Sequence, residues 1–546
     1  MKKIHYVLSL AIPLSMLFLF SCQPKDTTQR DHLVFRYNES KGIPSLDPAY
    51  ARNQTIIWPT HQLFNSLIAL DSQLNIVPAI AKSWTVDKRG KKYTFHLRTD
   101  VYFHHDVCFP DSSGRKVVAE DVKYSLQRLT DPQIASPGAW ILNAVKKIDS
   151  FNDSTLTITL HYPFPAFLGL LSMQYASVIP HEAITYYGDA FRAHPVGTGP
   201  FRFKYWKEGE KLILRRNKNY FEKDSLGRSL PYLEAIAITF ITDKQAEFME
   251  FLKGNLDFIS GLNPANKDEL ITREGHLTPK YKGKVQMQTA PYLNTEYLGF
   301  MTDTNLLPYH PIAHERRIRQ AVNYGFDRKK MMKYLRNNIG TPANKGFVPL
   351  GLPAYDNNAL GYTYQPEKAR QLLKEAGFPG GRDLPPITLT TTSDYLDLCE
   401  YIQHQLAQVG IPIEIEVNTG ATYRDRMAHG KLPFFRGSWI ADYPDAENYL
   451  ALFFSENKSP QGPNYTQFSN PQYDELYRKS MREADDKKRM ALYRKMNDMI
   501  SREAVVVPLY YDRVVRFLQP GIEGLPTNPL NLLTLKKARK HEHINR

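Results

Sequence analysis

Three cysteines in 546 residues, Cys22, Cys108 and Cys399, are too few for a disulfide framework, and none stands at a metal-ligand spacing such as C-x-x-C. Beyond the N-terminus no run approaches the roughly 18 uninterrupted apolar residues of a membrane helix, which leaves a soluble globular body. The motifs of phosphate cradles, zinc hydrolases and serine hydrolases are also missing: there is no P-loop, no H-E-x-x-H and no G-x-S-x-G. Gly197-Thr198-Gly199 is followed by Pro200 and the strand-like FRFKYW, where a nucleotide loop would open a helix. With neither tandem repeats nor a low-complexity linker, the domains are expected to be joined by crossing strands and not by a flexible tether.

What is present fits a large mixed protein. At 546 residues the chain exceeds the roughly 250 to 300 at which one core stops growing, so two or three domains are expected. Hydrophobic residues make up 42% and charged residues 23%, a globular balance. The formal charge of +14 does not predict a nucleic-acid partner, because its lysines and arginines alternate with acids, as in EKARQLLKE and EADDKKR. Only the tail LKKARKHEHINR is a basic run; it reads as a solvated terminus, and its His541 and His543 as an exposed pair. At the other end, MKKIHYVLSLAIPLSMLFLFSC has the lysines and apolar core of a secretory signal. Leu19-Phe20-Ser21-Cys22 resembles a lipobox, in which Cys22 is acylated, palmitate included, and becomes the first mature residue. Acyl chains contribute about 0.8 kcal/mol per buried methylene, enough in combination to anchor a protein. An ordinary cleaved signal is the alternative.

Periodicity places the class as α/β. PPITLTTT alternates, Leu398, Cys399, Ile402 and Leu406 recur at helical spacing, and IPIEIEV alternates again, a β-α-β unit. Pro366 opens a helix with Ala369, Leu372, Leu373 and Ala376 on one face, and Gly377 closes it. KKYTFHLRTDVYF reads as a strand pair followed by the helix VVAEDVKYSLQRL. DKQAEFMEFLKG is expected to bury Ala246, Met249 and Leu252, and a later helix Leu492, Met496, Met499 and Ile500. Cys399 reads as a buried thiol and Cys108 is unassigned; a disulfide between them is the alternative.

The candidate chemistry lies in RGSWIADYPDAENYL, residues 436 to 450. Asp442 and Asp445 fit the paired carboxylates of a hydrolase, although nothing nearby separates an acid from a base environment. Alternatively the charges bind: a buried aspartate pairs a ligand ammonium, and Arg436 grips a carboxylate. Trp439 and Tyr443 would then wall the ligand, and the extended backbone of Gly437, Ser438 and Ile440 would pair with a peptide main chain. An internal Arg436–Asp442 salt bridge is the competing reading. His104-His105-Asp106 reads as a turn with solvated histidines, since neighbours on a strand face opposite ways.

Five motifs in order resemble one family. They are IVPAIAKSWTVDKRGKKYTFHLRTDVYFHHD with VVAEDVKYSLQRL; PVGTGPFRFKYWKEGEKLILRRNKNYF; HERRIRQAVNYGFDRKKMM; the helix opening at Pro366; and SWIADYPDAENYL. The chain resembles the extracytoplasmic solute-binding proteins of peptide and nickel ABC importers, the oligopeptide- and dipeptide-binding lipoproteins. That resemblance implies a two-lobed periplasmic-binding-protein fold with an extra small N-terminal domain, its lobes joined by two crossing strands. Expected boundaries are a signal over 1–22, a discontinuous lobe I (23–64, 196–290 and 507–546), a small domain at 65–195, and lobe II at 291–506. It further implies a monomer on the periplasmic side of the membrane or at the cell surface, a peptide ligand, and a permease with its ATPase subunits as partners. Catalysis, cofactor, resident metal and nucleic acid are not expected. Asp442 takes the place of the aspartate that holds the ligand's α-ammonium, and Arg436 that of an arginine facing the cleft. Other ligands in the family are nickel chelates, haem, opines and oligosaccharides. Arg52 departs from the pattern, standing where a peptide binder carries an acid.

Overall fold

The computed structural model describes residues 33–261, 266–308 and 310–541, so the signal segment with Cys22, and also His543, lie outside the described residues. A large mixed sheet is built from β1 (Val34–Asn38), β2 (Phe201–Lys207), β3 (Lys211–Arg216), β4 (Ala235–Thr239), β5 (Phe258–Ser260), β6 (Gln286–Phe300), β7 (Ile387–Thr391), β8 (Ile413–Val417), β9 (Phe434–Ile440) and β10 (Val506–Leu518). Their order is β8-β7-β9-β6-β10-β5-β1-β4-β3-β2, with Thr341–Pro342 added alongside β10. The two long strands carry the sheet from one lobe to the other. β10 meets β5 through Phe258–Leu518 and Ser260–Arg516, while the far end of β6 meets β9 from Asn294–Ile440 to Phe300–Phe434. Between them β6 and β10 pair antiparallel, with a register shift between Pro291 and Thr295. Proline has no N–H to give the ladder, so pairing is interrupted where the chain passes between lobes.

Cores follow this division. In one lobe Phe35, Leu214 and Ile236 share a continuous core with Phe95 and Leu156, which belong to a separate four-stranded antiparallel sheet ordered Ala81–Val86, Lys92–Leu97, Thr155–Leu160, Val145–Asn152, and with Phe167 of the short helix Phe167–Leu171. In the other lobe β6 is covered on both faces: Leu293 and Tyr297 point into one core, Leu298 and Phe300 into another. Period-two alternation in a strand buried on both sides produces this division. The β-α-β unit is present as β7, a helix over Leu396–Ala407 and β8, with β7 and β8 parallel. Cys399 is buried in that lobe's core and remains a free thiol, as does Cys108.

Several expectations change. KKYTFHLRTDVYF supplies only one strand, Lys92–Leu97, whose partners are Ala81–Val86 and Thr155–Leu160; its second half makes a single bridge, Tyr102 to Lys116. The helix Lys244–Leu252 buries Glu247, Phe248 and Phe251 and leaves Met249 44% exposed, because two phenylalanines outweigh the smaller stripe chosen from spacing. His104 is not solvated. It is buried, accepts the Gly197 N–H at Nδ1 (3.3 Å) and stands 3.0 Å from the Gly199 carbonyl at Nε2, so it is the neutral tautomer that clamps the Gly-Thr-Gly turn. Burial lowers its pKa to about 4. His105 faces solvent. Nor is the basic tail free: Lys536 pairs with Glu222 (2.7 Å), Lys540 with Asp257 (2.8 Å), and Arg539 covers the Tyr232 ring. The acids that hold it lie about 280 to 310 residues earlier, beyond the reach of any local pattern.

Candidate functional site: a charged cavity between the lobes

A cavity of about 830 Å³ lies where the lobes meet. Trp58 and Ser260 line it from one side, Ser438, Trp439, Ile440 and Asp442 from the other, and Asp512 to Val515 of β10 form part of its wall. This volume is in the range of small-ligand sites, roughly 300 to 1,000 Å³.

β9 and the turn after it explain how Asp442 reaches this space. β9 pairs with β6 until Ile440, and the Ala441 N–H still donates to the Leu293 carbonyl at 2.8 Å. Ladder alternation then stops. Asn448 Oδ1 accepts from the Trp439 indole at 2.9 Å and from the Asp442 backbone at 3.3 Å, so one amide fixes both the aromatic wall and the acid. The Asp442 carboxylate is open to the cavity yet surrounded by protein; burial raises its pKa, and a hydrogen bond with Asn448 opposes the rise. Among the described residues no cation pairs with it.

Arg436 stands elsewhere. It pairs with Glu296 and stacks over Tyr395, does not line the cavity, and makes no bridge to Asp442. Both open alternatives, a ligand-facing arginine and an internal Arg436–Asp442 pair, therefore give way to a third arrangement. Its cause is strand register: Leu298 lies opposite Arg436 and Glu296 opposite Ser438, which makes Arg436 and Glu296 diagonal neighbours on one face. Burial alone would lower the Arg436 pKa, but the Glu296 charge reverses this and the guanidinium is raised above its ordinary value. Ser438 joins the same network, donating to Glu296 Oε1 at 2.9 Å or Asn294 Oδ1 at 3.1 Å. Gly437 faces the Tyr297 ring so closely that a Cβ would sit 2.3 Å from Cζ.

Tyr443 also leaves the cavity. Its ring enters the core of the other lobe, against Gly169 and 6.2 Å from Trp140, and its hydroxyl donates to Glu447. Tyr477 donates to the second Glu447 oxygen. Burial raises the Glu447 pKa to about 7 despite both phenols. Asp445 accepts the Glu447 N–H at 2.9 Å and is not on the cavity wall, so Asp442 and Asp445 do not share a site of the kind a hydrolase pair needs. Asp445 is raised by burial, with Arg489 and Tyr493 beside it.

Spacing alone did not identify the cavity's other charged residues. Arg336 pairs with Asp512 at 2.9 Å and Lys244 with Glu247 at 2.6 Å. Arg52 and Arg513 also line the wall. For Arg52 the departure from the family pattern was a usable signal; for Arg513, inside an apolar strand, only its charge was.

Compared with known proteins, residues 75–461 match the model of the bacterial extracellular solute-binding proteins, family 5. The chain belongs to that family. This solute-binding protein is 27% identical over 498 residues to Heme-binding protein A of Haemophilus influenzae, covering 86% of this chain and 85% of the relative. It is 25% identical over 496 residues to the Dipeptide-binding protein of Escherichia coli, covering 86% and 87%. Among solved structures, the periplasmic binding protein DppA of Helicobacter pylori, in complex with peptide STSA, superposes with a TM-score of 0.77 at 25% identity, covering 93% of this chain and 98% of that one. The two-lobed fold and the role of binding component for an ABC importer of the peptide type follow from these likenesses and from the sheet that spans both lobes.

Proposed function

We propose that this solute-binding protein captures short peptides between its lobes, with Asp442 receiving the α-ammonium, and passes them to an ABC permease. One observation carries the reading: a carboxylate open to a cavity between the lobes, raised by burial and lacking a cation of its own. Water reaches that charge in the open cavity; when the lobes close and exclude water, a ligand of opposite sign is what offsets it. Ser438, Trp439 and Ile440 on the same wall supply an apolar surface and an edge of extended backbone for the peptide main chain. The dipeptide-binding and peptide-bound relatives are consistent with this ligand class. Closure about the strands that cross between lobes would bury the ligand and add lobe contacts to ligand contacts.

In this reading the protein acts as a monomer, tethered through acylated Cys22 on the outer side of the membrane, and catalyses nothing. Calorimetry on the purified protein tests the ligand class by comparing free peptides with their N-acetylated forms. Acetylation removes the ammonium and is expected to abolish binding; equal affinity for both would refute the assignment. Native mass spectrometry of co-purified ligand reads the same point without a choice of probe.

A further inference from the structure

The charges on the cavity wall do not cancel. Four acids line it, Glu39, Glu247, Asp442 and Asp512, and five bases, Lys41, Arg52, Lys244, Arg336 and Arg513. Two groups are compensated within the protein. At one corner Lys244 pairs with Glu247, and Glu39 lies in the field of Lys244 and Lys41. On the wall formed by β10, Arg336 pairs with Asp512. Three charges are left: Asp442, Arg52 and Arg513.

Among the described residues neither arginine side chain is paired with an acid. Among the described residues the Arg52 side chain makes no hydrogen bond or ion pair, and Arg513 donates only to the Thr289 hydroxyl at 3.1 Å. Arg52 and Asp442 approach one place from opposite lobes: both fields reach the buried Tyr175 phenol, whose pKa is raised chiefly by burial, with Asp442 adding to the rise and Arg52 opposing it. They are not paired with each other, and both line the cavity. The cavity is open and Arg52 and Asp442 reach solvent, but uncompensated charge lining a cleft still favours the ligand that supplies the missing signs and penalises one that repeats a sign already there.

We propose that the cleft selects acidic peptides, ligands with one ammonium and two carboxylates, Asp442 taking the first and Arg52 and Arg513 the other two. This rests on the peptide reading above and adds side-chain selectivity, at residues no comparison assigns. A guanidinium suits the task because it stays charged and presents a planar fork to a carboxylate.

The test is isothermal titration of the purified protein with alanine peptides of two to four residues, each also prepared with one alanine replaced by aspartate or by lysine. Wild type is expected to bind the aspartate series about tenfold or more tighter than the lysine series, with the difference shrinking as salt rises. Arg52→Gln combined with Arg513→Gln is expected to erase that preference, and Arg52→Lys with Arg513→Lys to restore most of it; circular dichroism on each variant confirms the fold. Equal binding of the aspartate and lysine series by wild type would overturn the acidic preference and leave the peptide reading standing. So would a preference that survives in the double glutamine variant. If no peptide of any series binds while haemin does, the peptide reading itself fails, and this inference with it.

Discussion

Asp442→Asn is the most informative single change. Asparagine keeps the shape of the side chain, which bonds with Asn448, but removes the charge that faces the cavity. A ligand ammonium about 4 Å from the carboxylate would gain about 4 kcal/mol at an effective dielectric of 20, before either group's desolvation. Truncating one partner of such a buried pair costs about 2 to 5 kcal/mol. At 1.4 kcal/mol per decade, peptide affinity should fall by about thirtyfold to a few thousandfold. The empty protein should respond in the opposite sense. Because burial raises the carboxyl pKa, the folded state holds this proton to a higher pH than the unfolded chain, so its contribution to stability is fully present at acid pH and declines as pH rises through the raised value. Asparagine removes that decline, and the unliganded variant should melt no lower than wild type at neutral pH. Affinity of the wild type for a free peptide should weaken as pH falls through the raised carboxyl pKa, since a neutral carboxyl cannot pair the ammonium; the variant should lack this dependence. Calorimetry across pH with differential scanning fluorimetry measures both. Unchanged peptide affinity in Asp442→Asn would refute the ammonium site.

Arg436→Ala strands Glu296 in a buried position and should destabilise the protein by about 3 to 5 kcal/mol in denaturant unfolding, whereas Arg436→Met with Glu296→Gln should recover most of the loss. Gly437→Ala forces a methyl into the Tyr297 ring, itself wedged against Phe347 at 5.0 Å, and should cost about 1 to 3 kcal/mol by the same measurement. Glu447→Gln addresses pH: with the folded pKa near 7 and the ordinary value at 4.5, wild-type stability from this group declines as pH rises from about 4.5 to 7, and the glutamine variant should be more stable above pH 7 by on the order of 3 kcal/mol, with a flatter melting-temperature profile. Cys22→Ala should move the protein from the membrane fraction to the soluble one, as read by fractionation and immunoblot.

The elements were legible where they are local. The β-α-β unit and the helix over Pro366–Glu375 announce themselves through periodicity, a proline at the start and Gly377 at φ 93° just past the end. Helix faces were less legible. Between Lys244 and Leu252 both a small-residue stripe and a phenylalanine ridge fit helical spacing, and what packs above the helix decided between them. In the site, the segment around Asp442 stood out by composition, and the side-chain directions within it did not. Spacing treated residues 436 to 443 as one lining, yet alternation sends Arg436 to Glu296, and the turn at Ala441 sends Tyr443 into the opposite lobe's core.

From the sequence alone came the mixed class, the family motifs, the β-α-β unit with several helices, and an aspartate set among aromatics in a stretch apolar enough to be buried. All of these are encoded in spacings of a few residues. Tertiary structure decided which charges are compensated. Glu296 reaches Arg436 across 140 residues of chain, Asp257 and Glu222 hold the tail, and Asp442, Arg52 and Arg513 are left to the cavity. Compensation of charge depends on distance in space and on the exclusion of water, and neither is carried by neighbours in the chain. A lone arginine in the sequence therefore does not say whether it holds the fold or awaits a ligand; its partner, or the lack of one, does.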